Sequence, residues 1–233
     1  MNSKVPLIIL AATPLEKVSA DNFFSEDSNF FRLMKDPPYL RYMGWNMLTL
    51  DYPKIIDGLY WEVKNGDRKT ARLYKDGSFV TFAYADNSFL GWGKSDEDFA
   101  KFPKLNTLAL IEYVYEFTEL YRNFLTQFEG VRQVRFKIGI KNSLVGDKPL
   151  YLTPTKVNDF LYSFENNPGE LKKDFLSEIT IDIDKGNVYD SERVAFQLLS
   201  EIFVRFNISS DKIPYAVEEN NIKKISAEEI KKS

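Results

Sequence analysis

A chain of 233 residues with 44% hydrophobic side chains can bury one large core or two small ones. Its formal charge of −3, from 31 Lys and Arg against 34 Asp and Glu, argues against wholesale attraction to a polyanion but leaves room for a local basic strip. It contains neither Cys nor His, which excludes disulfides, the usual zinc sites, thiol nucleophiles and histidine general bases. Any catalysis must therefore run on carboxylates, Lys, Tyr, or Ser without a His partner.

Residues 5–11, VPLIILA, form a short apolar run typical of a strand covered on both faces. They lack the charged start and long apolar core of a signal peptide, and no run approaches the eighteen or so apolar residues of a membrane span, so the chain reads as cytoplasmic. Asp27 or Ser28 caps a short helix over NFFRLMK, where Phe30, Phe31 and Met34 share one side. Pro37 and Pro38 end that helix near Lys35, Gly44 makes a tight bend, and WNMLTL (45–50) reads as a strand. This stretch is a helix-to-strand corner whose one functional candidate is Arg41, set among aromatics as an anion or partner contact.

Asn65-Gly66 and Asp76-Gly77 are dipeptides suited to two-residue hairpin turns, and they predict a three-stranded meander over residues 58–84. With two-residue turns, Lys64 pairs with Asp67, Glu62 with Lys69, Leu73 with Val80 and Ala71 with Phe82. That register puts Ala71, Leu73, Val80, Phe82 and Tyr84 on one face, and Trp61, Arg72, Tyr74 and Phe79 on the other. The second group is a candidate binding face, for an apolar partner or for stacked bases with Arg72 over a ring. The ordinary alternative is that another segment of the domain packs there.

The longest helical pattern runs from Leu105 to Phe128, with Glu112, Glu116, Glu119, Asn123 and Thr126 tracing a narrow polar stripe on an otherwise apolar helix that Gly130 ends. In VRQVRFKIGIK, Val134, Phe136, Ile138 and Ile140 alternate with Arg135, Lys137 and Lys141. In SEITIDID, isoleucines alternate with Glu178, Thr180, Asp182 and Asp184. One polar face is basic and the other acidic, so the two strands are expected side by side. Between them VNDFLYSF and PGELKKDFLS read as short helices. Asp190 or Ser191 caps a further helix with a wide apolar stripe from Val194 to Phe206.

The fold class expected is α+β: mainly antiparallel sheet, a β-meander plus a strand pair, covered by two long amphipathic helices. Residues 1–216 form a single compact domain, with a division into 1–103 and 104–216 as the alternative, and residues 217–233 form a charged C-terminal tail.

Three stretches of the sequence imitate known chemistries. SFLGWGKS (88–95) ends like a phosphate-binding loop, but Ser88 stands where the first glycine is needed, and bulky residues fill the cradle. Asp51 with Glu62 and Lys64 imitates the two carboxylates and lysine of an Mg²⁺-dependent nuclease, although hairpin pairing also accounts for Glu62 and Lys64. Glu178, Asp182 and Asp184 form an acidic strand face of the kind that holds a hard cation, and alternation on any half-exposed strand produces the same pattern. No cofactor or metal is implied. A nucleic-acid module would need Arg72, Arg135, Lys137 and Lys141 on one exposed surface, and the acidic neighbour strand counts against it.

LMKDPPYLRYMGWNMLTL and the later YDSERVAFQLLSEIFVRFNISSDKIPYA, with the opening PLIILAATP and the strand RFKIGIKN, resemble the C-terminal region of bacterial proteins that carry an N-terminal Schlafen-type, AlbA-like DNA-binding domain. The resemblance implies a regulatory, sensory or defence-associated module and assigns no residue a role. The function expected is non-catalytic binding of a protein partner or small ligand, with Arg41, Trp61, Arg72, Tyr74 and Phe79 as candidate site residues.

Overall fold

The computed structural model describes residues 5–20, 24–41, 44, 52–65, 68–91, 95–156, 168–183 and 189–233. Strand β1 (Leu7–Pro14) is followed by helix α1 (Asn29–Lys35), then by β2 (Lys54–Ile56), β3 (Tyr60–Asn65), β4 (Lys69–Tyr74) and β5 (Phe79–Tyr84). A short helix α2 (Asp96–Lys101) leads to the 19-residue α3 (Thr107–Leu125). Next come β6 (Gln133–Lys141), β7 (Leu144–Val145), β8 (Lys148–Leu152), β9 (Gly169–Leu171) and β10 (Phe175–Asp182). The 15-residue α4 (Ser191–Arg205), β11 (Ala216–Glu219), β12 (Ile222–Ile225) and α5 (Ala227–Lys231) complete the order.

The chain is thus α+β, with one large antiparallel sheet and, among the described residues, five α-helices. Seven strands run in the order β10-β6-β1-β5-β4-β3-β2, every neighbouring pair antiparallel. β1 lies between the meander and the β6–β10 pair, so the main sheet crosses the alternative division at residue 103. As expected from their complementary charges, β6 and β10 are neighbours, with Lys137 opposite Glu178. Ser28 and Asp190 cap α1 and α4 through their side chains, and α1 ends at Lys35 ahead of the two prolines.

One face of the sheet carries the core. Ile8, Leu10, Phe79, Leu73, Trp61, Phe136 and Ile138 point into it, all essentially without solvent exposure. α3 lies over this face: the Phe79 ring stacks on Phe117 at 5.4 Å and meets Phe124 edge-on at 5.1 Å. Phe136 meets Tyr121 and Tyr189 edge-on, and the Tyr189 hydroxyl donates to the Thr118 carbonyl at 2.5 Å. Aromatic pairs of this kind contribute about 0.5–1.5 kcal/mol beyond their buried area.

The structure corrects several expectations. Tyr74 and Ser78 pair across a three-residue loop, with the Tyr74 N–H donating to the Ser78 carbonyl at 2.8 Å and Gly77 at φ +79°. This is a type I turn closed by a left-handed glycine, a use of Asp-Gly that adds one residue to the loop. Leu73 therefore pairs with Phe79 and Ala71 with Thr81. One residue of slip exchanges the faces of β5, so Phe79 enters the core with Leu73 while Arg72 and Tyr74 stay on the opposite side, and a slip in the first hairpin likewise sets Trp61 opposite Leu73 in the core. In the first hairpin Asn65 pairs with Lys69, which places Glu62 opposite Arg72 and Lys64 opposite Thr70; Asp67 lies outside the described residues.

PGELKKDFLS is not helical. It supplies β9 and the start of β10, and a side chain at Gly169 would meet the Phe206 carbonyl oxygen at 2.1 Å, so the strand can pass there only as glycine. Residues 217–233 are not a solvated tail. Asn220 and Asn221, both at positive φ, turn the β11–β12 hairpin, β12 packs beside α4, and Ile225 and Ile230 are fully buried. Lys224 joins the hairpin to α4 through ion pairs with Glu219 at 2.9 Å and Glu192 at 3.0 Å. The expected strand at 45–50 and helix at 157–164 lie outside the described residues.

Candidate binding face

Because strand side chains alternate, each strand that buries one row on the core face must present the other row on the opposite side. The two longest helices meet the sheet at the strands that line the core, α3 at β1 and α4 at β6 and β10. On the opposite side Leu7, Ile9, Val80, Phe82, Tyr84 and Tyr74 are all only half-buried, and none of them packs against the core cluster. Together they form a contiguous run of half-buried apolar and aromatic side chains outside the core cluster.

Three cross-strand rows define the face. The central one runs Glu62, Arg72, Val80, Ala11, Lys137, Glu178, with charges outside and aliphatic side chains in the middle. On one side of it lie Phe82, Ile9, Gly139 and Leu176, and Leu176 is 58% exposed. On the other side lie Tyr60 and Tyr74 with ring centroids 5.0 Å apart, then Ser78 donating to Thr13 Oγ1 at 3.2 Å, then Arg135 opposite Thr180. The Arg72 guanidinium sits 5.2 Å from the Tyr60 ring and 5.8 Å from the Phe82 ring, linking the rows by cation–π contact.

The ionic groups of this face differ in how far they are neutralised. Glu62 is nearly buried and accepts from Arg72 Nε at 2.8 Å, with Lys64 Nζ at 2.9 Å from its other oxygen. Burial raises its carboxyl pKa, yet hydrogen bonds from Lys64 and Arg72 outweigh that and hold it below the usual value. Lys137 and Lys141 reach Glu178 and Asp174 only at 3.7 and 3.9 Å, in exposed pairs that are worth little. Arg135 faces Thr180 and has no ion pair among the described residues.

Of the residues singled out from the sequence, Arg72 and Tyr74 lie on this face, whereas Trp61 and Phe79 are 1% and 0% exposed in the core. Arg41 is elsewhere. Its Nε is 2.6 Å from Oε1 of Glu112 on α3 and its terminal nitrogen 3.2 Å from Oε2, a bidentate clasp on a carboxylate with no solvent exposure. The Leu40 N–H donates to Glu116 Oε1 at 2.8 Å, and a side chain at Gly44 would strike Glu112 Oε1 at 2.6 Å. The polar stripe of α3 therefore receives the Pro-Pro loop. The signal for this site was present in the sequence as two glutamates on a helix otherwise too apolar to be half-solvated.

Lys69 is also buried, and desolvation pushes its ammonium down to about 8 although Glu116 pulls the other way. Asp51 and the Trp92-Gly93-Lys94 segment lie outside the described residues, as does Asp184. Among the described residues no group of three or more carboxylates could hold a metal ion. A cleft of about 540 Å³ beyond the end of α4 is lined by Pro154, Gly169, Glu170, Phe206, Ile208 and Lys212, and its Glu170 is already paired with Lys172 at 2.8 Å. Among the described residues, no helix is long and apolar enough to cross a membrane.

No protein-family model, curated protein or solved structure matches the chain.

Proposed function

We propose that the chain is a non-catalytic binding module, of the regulatory kind its resemblance implies, and that its working surface is the open face of the seven-stranded sheet. The observation that supports this is the contrast between two sides of the same strands. One is packed against the core cluster with α3 and α4, and the other leaves Ile9, Val80, Phe82 and Tyr84 half-buried and outside that cluster. A contiguous apolar face of this kind, rimmed by charge, is characteristic of an interaction surface. The rival nuclease reading requires Glu62 to hold a metal, and both of its oxygens are already engaged by Arg72 and Lys64.

Hydroxyl-radical footprinting in buffer and in extract of the source cells tests the proposal. Protection in extract is expected at Tyr74, Phe82 and Tyr84, with Tyr39 and Tyr52, which are 47% and 59% exposed and lie outside the seven strands, labelled equally in both. Equal labelling of all five would refute the open face as the working surface.

A further inference from the structure

We infer that the occupant of this face is single-stranded nucleic acid, an assignment that rests on the binding-module reading and names its ligand. The face is divided along the strands. β4 and β5 contribute aromatic rings, Tyr74, Phe82 and Tyr84, with Tyr60 beside Tyr74 on β3. β6 contributes the cations Arg135, Lys137 and Lys141. Between them β1 presents only Leu7, Ile9 and Ala11 before Thr13. Strands stand about 4.8 Å apart, so roughly 10 Å separates the ring-bearing strand β5 from the cationic strand β6. A strand of nucleotides laid along β6 with its bases turned toward β5 meets phosphate-binding groups on one side and stacking platforms on the other. Open sheets that read single strands combine the same two elements.

Charge complementarity points to an anionic partner, and the rings beside the cations favour one with bases to stack over an acidic protein. The chain as a whole is at −3, yet β6 carries Arg135, Lys137 and Lys141 on this face, with Glu178 and Asp182 on the flanking strand β10 and Glu62 tied to Arg72. Arg135 in particular is set opposite a threonine, so the acidic strand β10 does not neutralise it. The pairs of Lys137 and Lys141 are long enough for a phosphate oxygen to displace their partners.

The test is fluorescence anisotropy of labelled twelve-nucleotide oligo(dT) and oligo(U) with the full chain, against inorganic polyphosphate and a duplex as competitors. Phe82→Ala and Tyr74→Ala are each expected to weaken binding about 5- to 150-fold, the range found for loss of one stacked base. Arg135→Gln, a change at a strand surface that leaves the core untouched, is expected to reduce the salt slope by about 0.7. Competition by polyphosphate or duplex as strong as by the oligonucleotide would overturn the assignment, because bases would then contribute nothing. So would oligonucleotide binding unaffected by all three variants. No oligonucleotide binding in low salt, with the open face still protected in cell extract, overturns nucleic acid as the ligand and leaves the binding module standing. Absence of both binding and protection overturns both.

Discussion

Replacing Arg41 by Met strips the partner from a carboxylate that water does not reach, since the Glu112 side chain is 0% exposed. Leaving such a charge uncompensated typically costs about 3–5 kcal/mol. Two features place this site at the lower end. The Arg41 side chain is 20% exposed, so water enters when it is removed, and Glu112 has a further interaction of its own. A loss of about 3 kcal/mol is therefore expected, and for a chain of this length it corresponds to about 6–12 °C in melting temperature. Equilibrium unfolding in urea measures it directly. The companion variant, Arg41→Met with Glu112→Gln, removes the stranded charge and is expected to recover to within about 1 kcal/mol of wild type, as replaced buried ion pairs commonly do. A single variant that costs less than 1 kcal/mol, or a double variant no more stable than the single, would refute the view that the clasp is a buried charge pair on which the loop depends.

The Lys69 ammonium, held down to about 8 mainly by desolvation, gives stability a particular pH course. Below pH 8 the lysine is charged in both states and its burial cost is fully present. Between pH 8 and about 10 the folded state has released a proton that the unfolded chain, with an ordinary value of 10.5, still holds, so stability is expected to rise with pH. Above that window buried Tyr113 and Tyr121, pushed up by burial, reverse the slope because tyrosines ionise first in the unfolded chain. Denaturant melts from pH 7 to 10 should show the rise, and Lys69→Met should flatten it; a wild-type curve with no rise would contradict the burial. Phe79→Ala, which empties a site stacked on Phe117, is expected to cost about 3–5 kcal/mol, and Tyr74→Ala on the open face less than about 1 kcal/mol. Comparable losses in thermal unfolding would mean that the face is covered.

The elements most legible in the sequence were those in which several local signals agree. β6 and β10 combine strict alternation with complementary charge, and α4 combines a capping Asp190 with a wide apolar stripe. The turn at Asp76-Gly77 was located but not its length, because the same dipeptide serves two-residue turns and three-residue bulged ones, and a single residue decides which rings are core and which are surface. That ambiguity puts Phe79 on the wrong side of Arg72 and Tyr74, and the same ambiguity at Asn65-Gly66 does so for Trp61. The destination of Arg41 was hidden for a different reason. Its partner lies 71 positions away on a helix whose glutamates look solvated when only periodicity is considered. The C-terminal hairpin depended on Asn220-Asn221, a turn signal weaker than Asn-Gly and masked by the surrounding charge.

Among the described strands β1 comes first, yet one of its ladders is completed by β5 and the other by β6, more than a hundred positions further on. During synthesis the nascent polypeptide must carry a half-finished hydrophobic ribbon past the exit tunnel until α3 and β6 emerge to close it. Expression of residues 1–103 without the remainder would leave that ribbon as an open template for its neighbours, and inclusion bodies are the foreseeable product.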